Sequence, residues 1–508
     1  MKQFAKLLTL MLAILVLVSA FVACGGDGGP GTEGKGAESE KNKIEYETLP
    51  YVEDDLPDDL RFDGQTLTFF TKDDSEHWKY EMDCDYLLGD TLFDAIYYRN
   101  KSVEEQLGVT ITTVSQKGSN NFDGAWIDTY RTAVNARTGD FETAAISMGG
   151  GAPLAVEGLY YNVIDFPYLS LEKPWWNQKV HDELTMFHAL YYLIGDIAVT
   201  QISWGTGMFY NKDILDKYFP DGSVNLYQTV KDRKWTIDCM YDIVAQVYED
   251  VDGSGTMTDG DVVGFWDGEV GTKNRGERDA WIVACGIDIT QEVSGQHQLT
   301  FYSNRTVEAF EKLKALHAQN PGTLIIDSRY TDFTKFENGN VLFYLTRLNS
   351  GSIYRTMDGR YGVLPMPMLE ENQEGGYRNY VFYAASAVVI VSSLPEEKKE
   401  MVGATLELMA AESYRQVTPA YCEVALKTKY AEDAEDSAMY DMIIDSLYTS
   451  FGMINGKNLG NINSLFRDFT IDLAQTWDAE KDVYQEKLEQ LVDTLDDLSF
   501  KKGYGLES

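Results

Sequence analysis

The residues with the clearest chemical pattern lie in one loop, at positions 250–261. Read as a twelve-residue loop of the EF-hand type, this stretch has oxygen-bearing side chains at positions 1, 3, 5, 9 and 12, and Gly255 falls at position 6, where such a loop turns sharply. The expected ligands are Asp250, Asp252, Ser254, Thr256 through its backbone carbonyl, Thr258 and Asp261. Because calcium takes six to eight hard oxygens at about 2.3–2.6 Å, we expect Ca²⁺ to bind here as a structural ion.

Two features of the same loop leave a second interpretation open. Asp261 stands where an EF-hand loop has a bidentate glutamate, and its shorter side chain must approach the ion more closely. The residues after it, 262–265, have the pattern of a strand and not of an exiting helix. The alternative to calcium binding is a polar turn, rich in Asp and Gly, between a helix and a strand.

Motifs of familiar catalytic chemistry are absent from the sequence. It contains no Gly-x-Ser-x-Gly, no His-Glu-x-x-His and no phosphate-binding loop, and it has only five histidines. Cys84, Cys239, Cys285 and Cys422 are far apart and lack the spacing of a metal site. The sequence is compatible both with two disulfides and with four buried thiols. We therefore expect a protein that binds its ligand without catalysing a reaction.

The amino-terminal residues have the pattern of an export signal followed by a lipid anchor. Lys2 and Lys6 precede an uncharged run at 7–23, which is typical of a signal peptide. The small residues before Cys24 resemble the lipobox of bacterial lipoproteins, which implies removal of residues 1–23 and acylation of Cys24; an ordinary cleaved signal is the alternative. Residues 24–59 open on a stretch rich in Gly, Glu, Ser and Lys, and we expect them to form a flexible linker. The predicted location is the cell surface, on the outer face of the cytoplasmic membrane.

The charge balance argues against some classes of partner. Lys and Arg number 43 against 81 Asp and Glu, which gives the 508-residue chain a formal net charge of −38. A surface this negative repels nucleic acid and anionic lipid, so we expect neither as a partner. The apolar fraction of 44% is typical of a globular protein, and the length suits two or three domains.

The rest of the sequence alternates between strand-like and helix-like stretches. Short β-rich apolar runs lie at 67–71, 109–114, 143–148, 191–195, 208–210, 341–345 and 385–391. Between them, apolar residues recur at helical spacing, as Val307, Phe310, Leu313 and Leu316 do. This alternation predicts an α/β architecture with mainly parallel sheets. From about residue 396 to 500 the pattern is almost all helical, which predicts helices packed on a lobe and not a separate domain.

The order of several short segments resembles the extracellular solute-binding proteins of ATP-driven sugar importers, the maltose-binding-like family 1 group. The resemblance covers about residues 60–450. It rests on the strand Leu67-Thr68-Phe69-Phe70, on residues 103–109 and 139–145, on Tyr210-Asn211-Lys212-Asp213, on Lys234-Trp235-Thr236-Ile237-Asp238, on Phe336-Glu337-Asn338-Gly339 with residues 340–343, and on Tyr361-Gly362-Val363-Leu364-Pro365-Met366-Pro367. The chain is longer than the typical sugar-binding member, and residues 171–177 are an elaboration.

The resemblance implies a two-lobed, periplasmic-binding-protein-like fold of type II, with hinge strands between the lobes and a helical C-terminal region. Lobe 1 would comprise residues 60–205 and 380–412, and lobe 2 residues 206–379 and 413–508, with the calcium loop at 250–261. The lobes would close on a solute between them, and an ABC permease in the membrane would recognise the closed form. We expect a monomer.

The resemblance also places candidate ligand-binding residues in loops that face the cleft. Sugar capture needs flat apolar faces for the pyranose rings and planar polar groups for the hydroxyls. The candidates on this basis are Asp74, Glu76, Trp78, Gly149, Gly150, Trp204, Trp266, Arg347 and Tyr383. The glycines would allow a close backbone approach to the ligand. An oligosaccharide is the expected solute, and its identity is not encoded in these residues.

Two other classes of function remain open at the level of sequence. A secreted glycoside hydrolase needs two carboxylates held about 5–10 Å apart across a cleft, and with 81 acidic residues such a pair cannot be rejected by counting. The other class is a carbohydrate-binding surface adhesin. It would bind insoluble polymer without closure of the lobes.

Overall fold

The computed structural model describes residues 51–118, 124–266, 276–293, 296–324, 334–423, 426 and 434–503. The predicted signal peptide, Cys24 and the first part of the predicted linker lie outside the described residues. Among the described helices, none combines the length and the apolar character that a membrane crossing requires.

The strands and helices of the described residues follow one another in mixed order. The strands are β1 (Thr66–Lys72), β2 (Thr110–Gln116), β3 (Thr143–Ser147), β4 (Thr206–Asn211), β5 (Tyr248–Glu249), β6 (Val262–Phe265), β7 (Thr290–Val293), β8 (Gln296–Leu299), β9 (Val341–Arg347), β10 (Tyr361–Leu364), β11 (Asn379–Tyr380), β12 (Ser386–Ile390) and β13 (Leu447–Tyr448). The helices are α1 (Glu76–Tyr80), α2 (Thr91–Leu107), α3 (Ala125–Ala136), α4 (Met148–Val156), α5 (Gln178–Leu184), α6 (Thr200–Ser203), α7 (Lys212–Tyr218), α8 (Leu226–Lys231), α9 (Ile237–Val244), α10 (Asp279–Ala284), α11 (Asn304–Ala318), α12 (Thr334–Glu337), α13 (Gly351–Tyr354), α14 (Lys399–Glu412), α15 (Ala434–Asp445), α16 (Phe451–Ile454) and α17 (Leu473–Gly503).

A four-stranded sheet forms the core of lobe 1. Its order is β12-β3-β1-β2, in which β1 lies parallel to β2 and β3 and β12 lies antiparallel to β3. All residues of β3 are buried, as expected for a central strand covered on both faces, and those of β12, at the end of the sheet, are buried as well. The helix α2 leads from β1 to β2. It begins after Asp90, whose carboxylate accepts the N–H of Leu92, and it ends at Gly108, which takes the left-handed conformation at φ 70°.

A five-stranded sheet forms the core of lobe 2, and its strand directions differ from the prediction. The order is β10-β4-β9-β6-β5, and only the pair of β6 and β9 is parallel. The expectation of mainly parallel sheets therefore holds for lobe 1 and is wrong for lobe 2. The alternation of strand and helix patterns predicts which segments form strands, but it does not indicate the direction in which each strand runs. The strands β4, β5 and β10 run antiparallel to their neighbours.

One predicted strand also differs. Residues 191–195 form isolated bridges, one of Leu193 with Val388 and one of Gly195 with Trp176, and no regular strand. Leu193 and Val388 exchange two backbone hydrogen bonds of 2.8 and 3.0 Å before the pairing ends. The segment is extended and buried as its composition suggests, but it has too few partners for a ladder.

Three chain segments run side by side where the two lobes join. Gly205 pairs with Val381, and the N–H of Val381 donates to the carbonyl of Tyr448 at 3.2 Å. The short strands β11 and β13 lie parallel to each other in the same place. The start of β4, the residues after β11 and the strand β13 therefore form the hinge.

The C-terminal region is helical, as predicted, and it contacts both lobes. Residues 413–417 continue α14 and pack against α2 in lobe 1, so the predicted boundary at 412 falls inside one continuous helical stretch. The helix α15 packs against β10 in lobe 2, where Lys212 and Asp436 form a buried ion pair of 2.8 Å. The long helix α17 packs against β8 and α11 in lobe 2 and against α4 in lobe 1.

Candidate ligand-binding site

A group of aromatic rings surrounds Arg347 at the hinge. Arg347 is the last residue of β9 and lies opposite Thr206, the first residue of β4. Its guanidinium carbon is 4.6 Å from the ring centroid of Trp204 and 5.0 Å from that of Phe382. The N–H of Phe382 donates to the carbonyl of Trp204 at 3.0 Å, so the two crossing segments fix the two rings with respect to each other. The positive charge is thus placed against two ring faces, an arrangement that stabilises a cation away from water.

Lobe 1 adds Trp78 and Lys72 to this group. The rings of Trp78 and Trp204 lie 4.9 Å apart at an angle of 46°. The ammonium nitrogen of Lys72, the last residue of β1, is 4.7 Å from the Trp78 ring. Burial lowers the pKa of Lys72 to about 8, against the opposing effect of Asp74. We refer to Trp78, Trp204, Arg347 and Phe382 as the hinge cluster.

Tyr383 and the glycines of α4 lie next to the hinge cluster. The rings of Phe382 and Tyr383 are 4.3 Å apart. The carbonyl of Tyr383 accepts hydrogen bonds from the N–H of Gly149 at 2.9 Å and from the hydroxyl of Ser147 at 3.1 Å. The N–H of Gly150 donates to the same hydroxyl at 3.3 Å. The backbone of Gly149 thus ties the start of α4 to the segment after β11, and that of Gly150 bonds to the residue that caps α4.

Several buried polar atoms on or beside the hinge cluster have no hydrogen-bond partner among the described residues. They are Asp73 Oδ1, His77 Nδ1, Ser203 Oγ, Trp204 Nε1 and Arg347 Nε. Elsewhere among the described residues, the indole N–H groups of Trp126, Trp175, Trp176 and Trp235 donate to protein oxygens, whereas those of the buried Trp266 and Trp281 have no partner. A buried polar group without a partner costs about 1–3 kcal/mol, so a set of them in one place suits a site where a polar ligand supplies the partners.

Sequence reasoning missed the segment of lobe 2 that faces these rings. A Cβ atom on Gly276 would lie 2.5 Å from Cε1 of Tyr383 and 3.0 Å from Cε2 of Phe382, so only glycine fits there. The next residue, Glu277, places Oε1 3.8 Å from Nε of Arg347. Phe382 was also missed, although its position beside Tyr383 was a usable signal. Glu277 gave none, because it is one acidic residue among 81.

The structure does not join the other predicted ligand residues to the hinge cluster. Trp266 is fully buried in lobe 2, where it stacks on Tyr344 with ring centroids 5.7 Å apart. Asp74 accepts the N–H of Gly118 at 2.9 Å and so holds two loops of lobe 1 together. Glu76 is exposed in the first turn of α1.

The predicted calcium loop connects β5 to β6 and draws its carboxylates together. Asp250, Asp252 and Asp261 each offer an oxygen within 4.8 Å of the others, which is about the largest separation of two oxygens bound to one Ca²⁺. Gly255 has a φ of +74°, the left-handed conformation that the sharp turn at position 6 requires. Ser254 Oγ lies 2.8 Å from the carbonyl oxygen of Thr256, so both of these predicted ligands lie on the same side of the turn. The donor set is all oxygen and suits a hard cation.

Backbone N–H groups hold the same carboxylates in place. Asp250 accepts the N–H of Ser254 at 3.1 Å and of Gly255 at 2.9 Å. Asp261, which is buried, accepts the N–H of Val251 at 2.9 Å and of Thr258 at 2.7 Å. The loop is therefore folded into a compact turn, and the residues present fit a bound calcium ion.

An open groove of about 610 Å³ borders the hinge at β13, and its lining includes none of the hinge-cluster residues. Its lining includes Lys179 of α5, Tyr377, Arg378, Asp445 of α15 and Tyr448 of β13. The hinge cluster itself is a tightly packed group and not an open cavity, because its rings are nearly fully buried.

No protein-family model matches the sequence, and no curated protein matches it either. Solved structures do match. An ABC substrate-binding protein from Listeria monocytogenes, in complex with cycloalternan, aligns over 87% of this chain and 100% of its own with a TM-score of 0.51 and 12% identity. UspC of M. tuberculosis aligns over 85% of this chain and 100% of its own with a TM-score of 0.51 and 15% identity.

A third structure, a cyclo/maltodextrin-binding protein in complex with maltotetraose, aligns over 85% of this chain and 96% of its own with a TM-score of 0.51 and 12% identity. Identities this low establish a common fold and leave function to the residues of the site. The predicted fold class is confirmed: the chain has the two-lobed, periplasmic-binding-protein-like α/β fold of these substrate-binding proteins.

Proposed function

We propose that the protein captures an extracellular solute, an oligosaccharide, between its two lobes and delivers it to an ABC permease. The observation that carries this proposal is the hinge cluster. Trp78 comes from lobe 1, Arg347 ends a strand of lobe 2, and Trp204 and Phe382 lie on the crossing segments. A ligand that contacts the hinge cluster contacts both lobes, so it favours the arrangement in which the lobes are together.

The chemistry of the hinge cluster suits a saccharide. Aromatic faces pack against the C–H faces of pyranose rings, and buried donors and acceptors bind hydroxyl groups. Unpartnered polar atoms at Trp204 and Arg347 would supply such donors. Two of the similar structures hold saccharides, cycloalternan in one and maltotetraose in the other.

A thermal-shift screen against soluble oligosaccharides tests the proposal. A ligand present at 100 times its dissociation constant adds about 2.7 kcal/mol to the free energy of unfolding, which gives a clear rise in melting temperature. At least one oligosaccharide series should produce that rise. A complete screen in which only peptides or other non-sugar solutes stabilise the protein would contradict the choice of ligand.

We propose further that the ligand leaves the protein unaltered. Glu277 is a carboxylate at the site, so the glycoside-hydrolase alternative has a direct test. Purified protein incubated with each stabilising oligosaccharide should release no reducing ends. Release of reducing ends that disappears in Glu277→Gln would favour the enzyme. Retention on insoluble polysaccharide without any response to soluble sugars would favour the adhesin.

The predicted location, at the outer face of the cytoplasmic membrane, is part of the same proposal. Acylation of Cys24 after removal of residues 1–23 would hold a monomeric binding protein at the membrane, close to the permease it serves. Cys24→Ser should move the protein from the membrane fraction to the medium in a host that processes lipoproteins. An equal membrane fraction for both proteins would contradict lipid anchoring.

We also propose that the loop at 250–261 binds calcium as a structural ion. Calcium added to chelator-treated protein should raise its melting temperature, and Asp252→Asn should abolish the rise because it removes a charged ligand. Asp242→Asn, at an exposed position of α9 outside the loop, is the matched control and should respond like the unaltered protein. A melting temperature indifferent to calcium in the unaltered protein would leave the polar turn as the interpretation.

A further inference from the structure

An exposed apolar surface lies between α1 and α2, at the edge of the candidate site. Tyr86, Leu87 and Leu88 are consecutive, and 50%, 51% and 38% of their surfaces are exposed. The ring of Tyr80, at the end of α1, lies 6.4 Å from that of Tyr86 in an edge-on arrangement. We refer to Tyr80, Tyr86, Leu87 and Leu88 as the rim. Single exposed apolar residues are ordinary on a protein surface, but a contiguous group of them marks a place of interaction.

The backbone of the rim is fixed from one side by α2. Asp94 accepts the N–H of Leu88 at 2.8 Å and of Gly89 at 3.1 Å. The carboxylate of Asp90 caps the same helix by accepting the N–H of Leu92 at 2.9 Å. The loop therefore reaches α2 through a set of specific hydrogen bonds and not through a slack connection.

Buried polar side chains fix the rim from the other side. The guanidinium of Arg99 is fully buried and donates to the carbonyls of Glu81 at 3.2 Å and Met82 at 2.7 Å. Asn100 also donates to the carbonyl of Met82, at 3.0 Å. A loop held at both ends presents its apolar side chains in a set arrangement, which lowers the ordering entropy lost on binding.

The rings of Phe93 and His77 lead from the rim towards the hinge cluster. The ring of Tyr80 is 5.4 Å from that of Phe93, and Phe93 is 6.0 Å from His77. His77 precedes Trp78, whose ring is 4.9 Å from that of Trp204. Burial lowers the pKa of His77, and the nearby charge of Arg347 in the hinge cluster lowers it further, so the rim approaches the hinge cluster through Phe93 and His77.

We propose that the rim binds sugar units of an oligosaccharide that extends outward from the hinge cluster. This inference rests on the proposed function and narrows it to a solute of several units. Tyrosine rings and leucine side chains offer apolar faces to pyranose C–H groups. Lys79 Nζ donates to the hydroxyl of Tyr80 at 3.1 Å, and the hydroxyls of Tyr80 and Tyr86 lie 3.2 Å apart, so polar groups at the rim stand ready for sugar hydroxyls.

The experiment measures affinity against chain length by calorimetry. The probes are ladders of malto-, xylo-, manno- and galacto-oligosaccharides, and the series that binds is used from its shortest binding member upward. The variants are Tyr86→Ala and Leu87→Ser, with Val483→Ser on α17 as a control, since Val483 is 50% exposed and far along the chain from the rim. All positions are exposed, so the variants should fold, and melting curves without ligand verify it.

The rim variants should bind the shortest ligand within about twofold of the unaltered protein and lose about five- to tenfold for the longest, as expected from the loss of one apolar contact with a sugar ring. The control should match the unaltered protein at every length. Equal effects on short and long ligands, or none on either, would overturn the inference and leave the proposed function standing. Full affinity at every length with impaired uptake by the permease would assign the rim to a membrane partner. Failure of every ladder to bind would overturn the proposed function itself.

Discussion

Arg347 lies in a mostly buried position, where a charged side chain destabilises the folded protein unless its charge is compensated. Its side chain is 18% exposed, its Nε has no hydrogen-bond partner among the described residues, and the nearest carboxylate oxygen, on Glu277, is 3.8 Å away. The rings of Trp204 and Phe382 stabilise the charge without binding its hydrogens. In the proposed function, this guanidinium is the charged donor for a ligand that reaches the hinge cluster.

Arg347→Gln should therefore weaken solute binding about 10- to 100-fold, because hydrogen bonds from a charged donor contribute about 1.5–3 kcal/mol each. Calorimetry with the oligosaccharide found in the thermal-shift screen measures the change. Arg360→Gln is the matched control, since Arg360 is half exposed and paired with Asp213 and Asp216 at the surface. If both variants bind alike, Arg347 is a structural residue only.

A second buried charge, on Glu407 in α14, has a structural role. Its oxygens accept the indole N–H groups of Trp175 at 3.1 Å and Trp176 at 2.9 Å and the backbone N–H of Ser170 at 3.2 Å. Burial raises the pKa of Glu407 to about 7, against these hydrogen bonds, which lower it. The carboxyl group thus holds an elaborated loop of lobe 1 onto α14.

The raised pKa gives Glu407 a defined effect on stability. Between its ordinary pKa of 4.5 and about 7, the folded state keeps a proton that the unfolded state has lost. The contribution of Glu407 to stability is therefore greatest below about pH 4.5, falls as the pH rises towards 7 and levels off above it. Denaturant unfolding at a series of pH values should show a flatter profile in Glu407→Gln than in the unaltered protein. Parallel profiles would place the pKa of Glu407 near its ordinary value.

At the scale of residues, the sequence could indicate the site but not its full composition. Trp78, Trp204, Arg347 and Tyr383 were candidates because of their positions along a resemblance, and the structure brings them to one place. His77 and Glu277 were not candidates. Their roles depend on distances between segments that lie about 200 residues apart, and no local pattern records such distances.

The elements follow local rules that the sequence displays clearly. The helix α11 is predicted from apolar spacing, and both α2 and α11 begin after a capping residue, Asp90 and Ser303. The antiparallel pairings of lobe 2 were not predicted, since they follow from where the chain crosses the hinge. Local pattern therefore predicts most elements, whereas their direction depends on the path of the whole chain.

One ion pair between elements has a large predicted effect. Arg467, near the C-terminal region, forms two hydrogen bonds of 2.6 Å to the buried carboxylate of Asp279 in α10. Asn463 adds a third at 2.8 Å. These contacts fix residues 462–467 onto lobe 2 beside Tyr383, whose ring centroid is 5.9 Å from the guanidinium of Arg467.

Arg467→Met should lower the free energy of unfolding by about 3–5 kcal/mol, because it leaves the carboxylate of Asp279 buried without its partner. The double variant Asp279→Asn with Arg467→Met should recover part of that loss, since no charge then remains to be paired. The surface variant Arg360→Met should cost at most about 1 kcal/mol. Denaturant unfolding measures all three, and equal losses for the two single variants would show that the pair adds nothing beyond a surface contact.

At the scale of the whole molecule, the fold separates rigid parts from a narrow junction. Each lobe has its own sheet, and the junction consists of short segments at Gly205, Val381 and Tyr448. The hinge cluster lies at this junction, where a bound solute can influence the relation of one lobe to the other. This arrangement is the one that the proposed capture by closure requires.

The helix α17 restricts the lobe motion that the proposed closure requires, because it contacts both lobes. It runs for 31 residues, and it packs on lobe 2 through Trp477, which stacks on Tyr302 with ring centroids 5.1 Å apart. Near its other end, Leu498 lies 3.0 Å from the position that a Cβ on Gly158 of lobe 1 would take. Motion between the lobes must therefore be accommodated at one of these two contacts.

Closure on the solute is measured most directly by small-angle scattering of the purified protein with and without the oligosaccharide that stabilises it. We expect the radius of gyration to fall when the unaltered protein is saturated with ligand, and to stay unchanged when Arg347→Gln is given the same concentration. Ligand bound at saturation, as calorimetry on the same sample would show, with identical scattering curves before and after would contradict capture between two closing lobes.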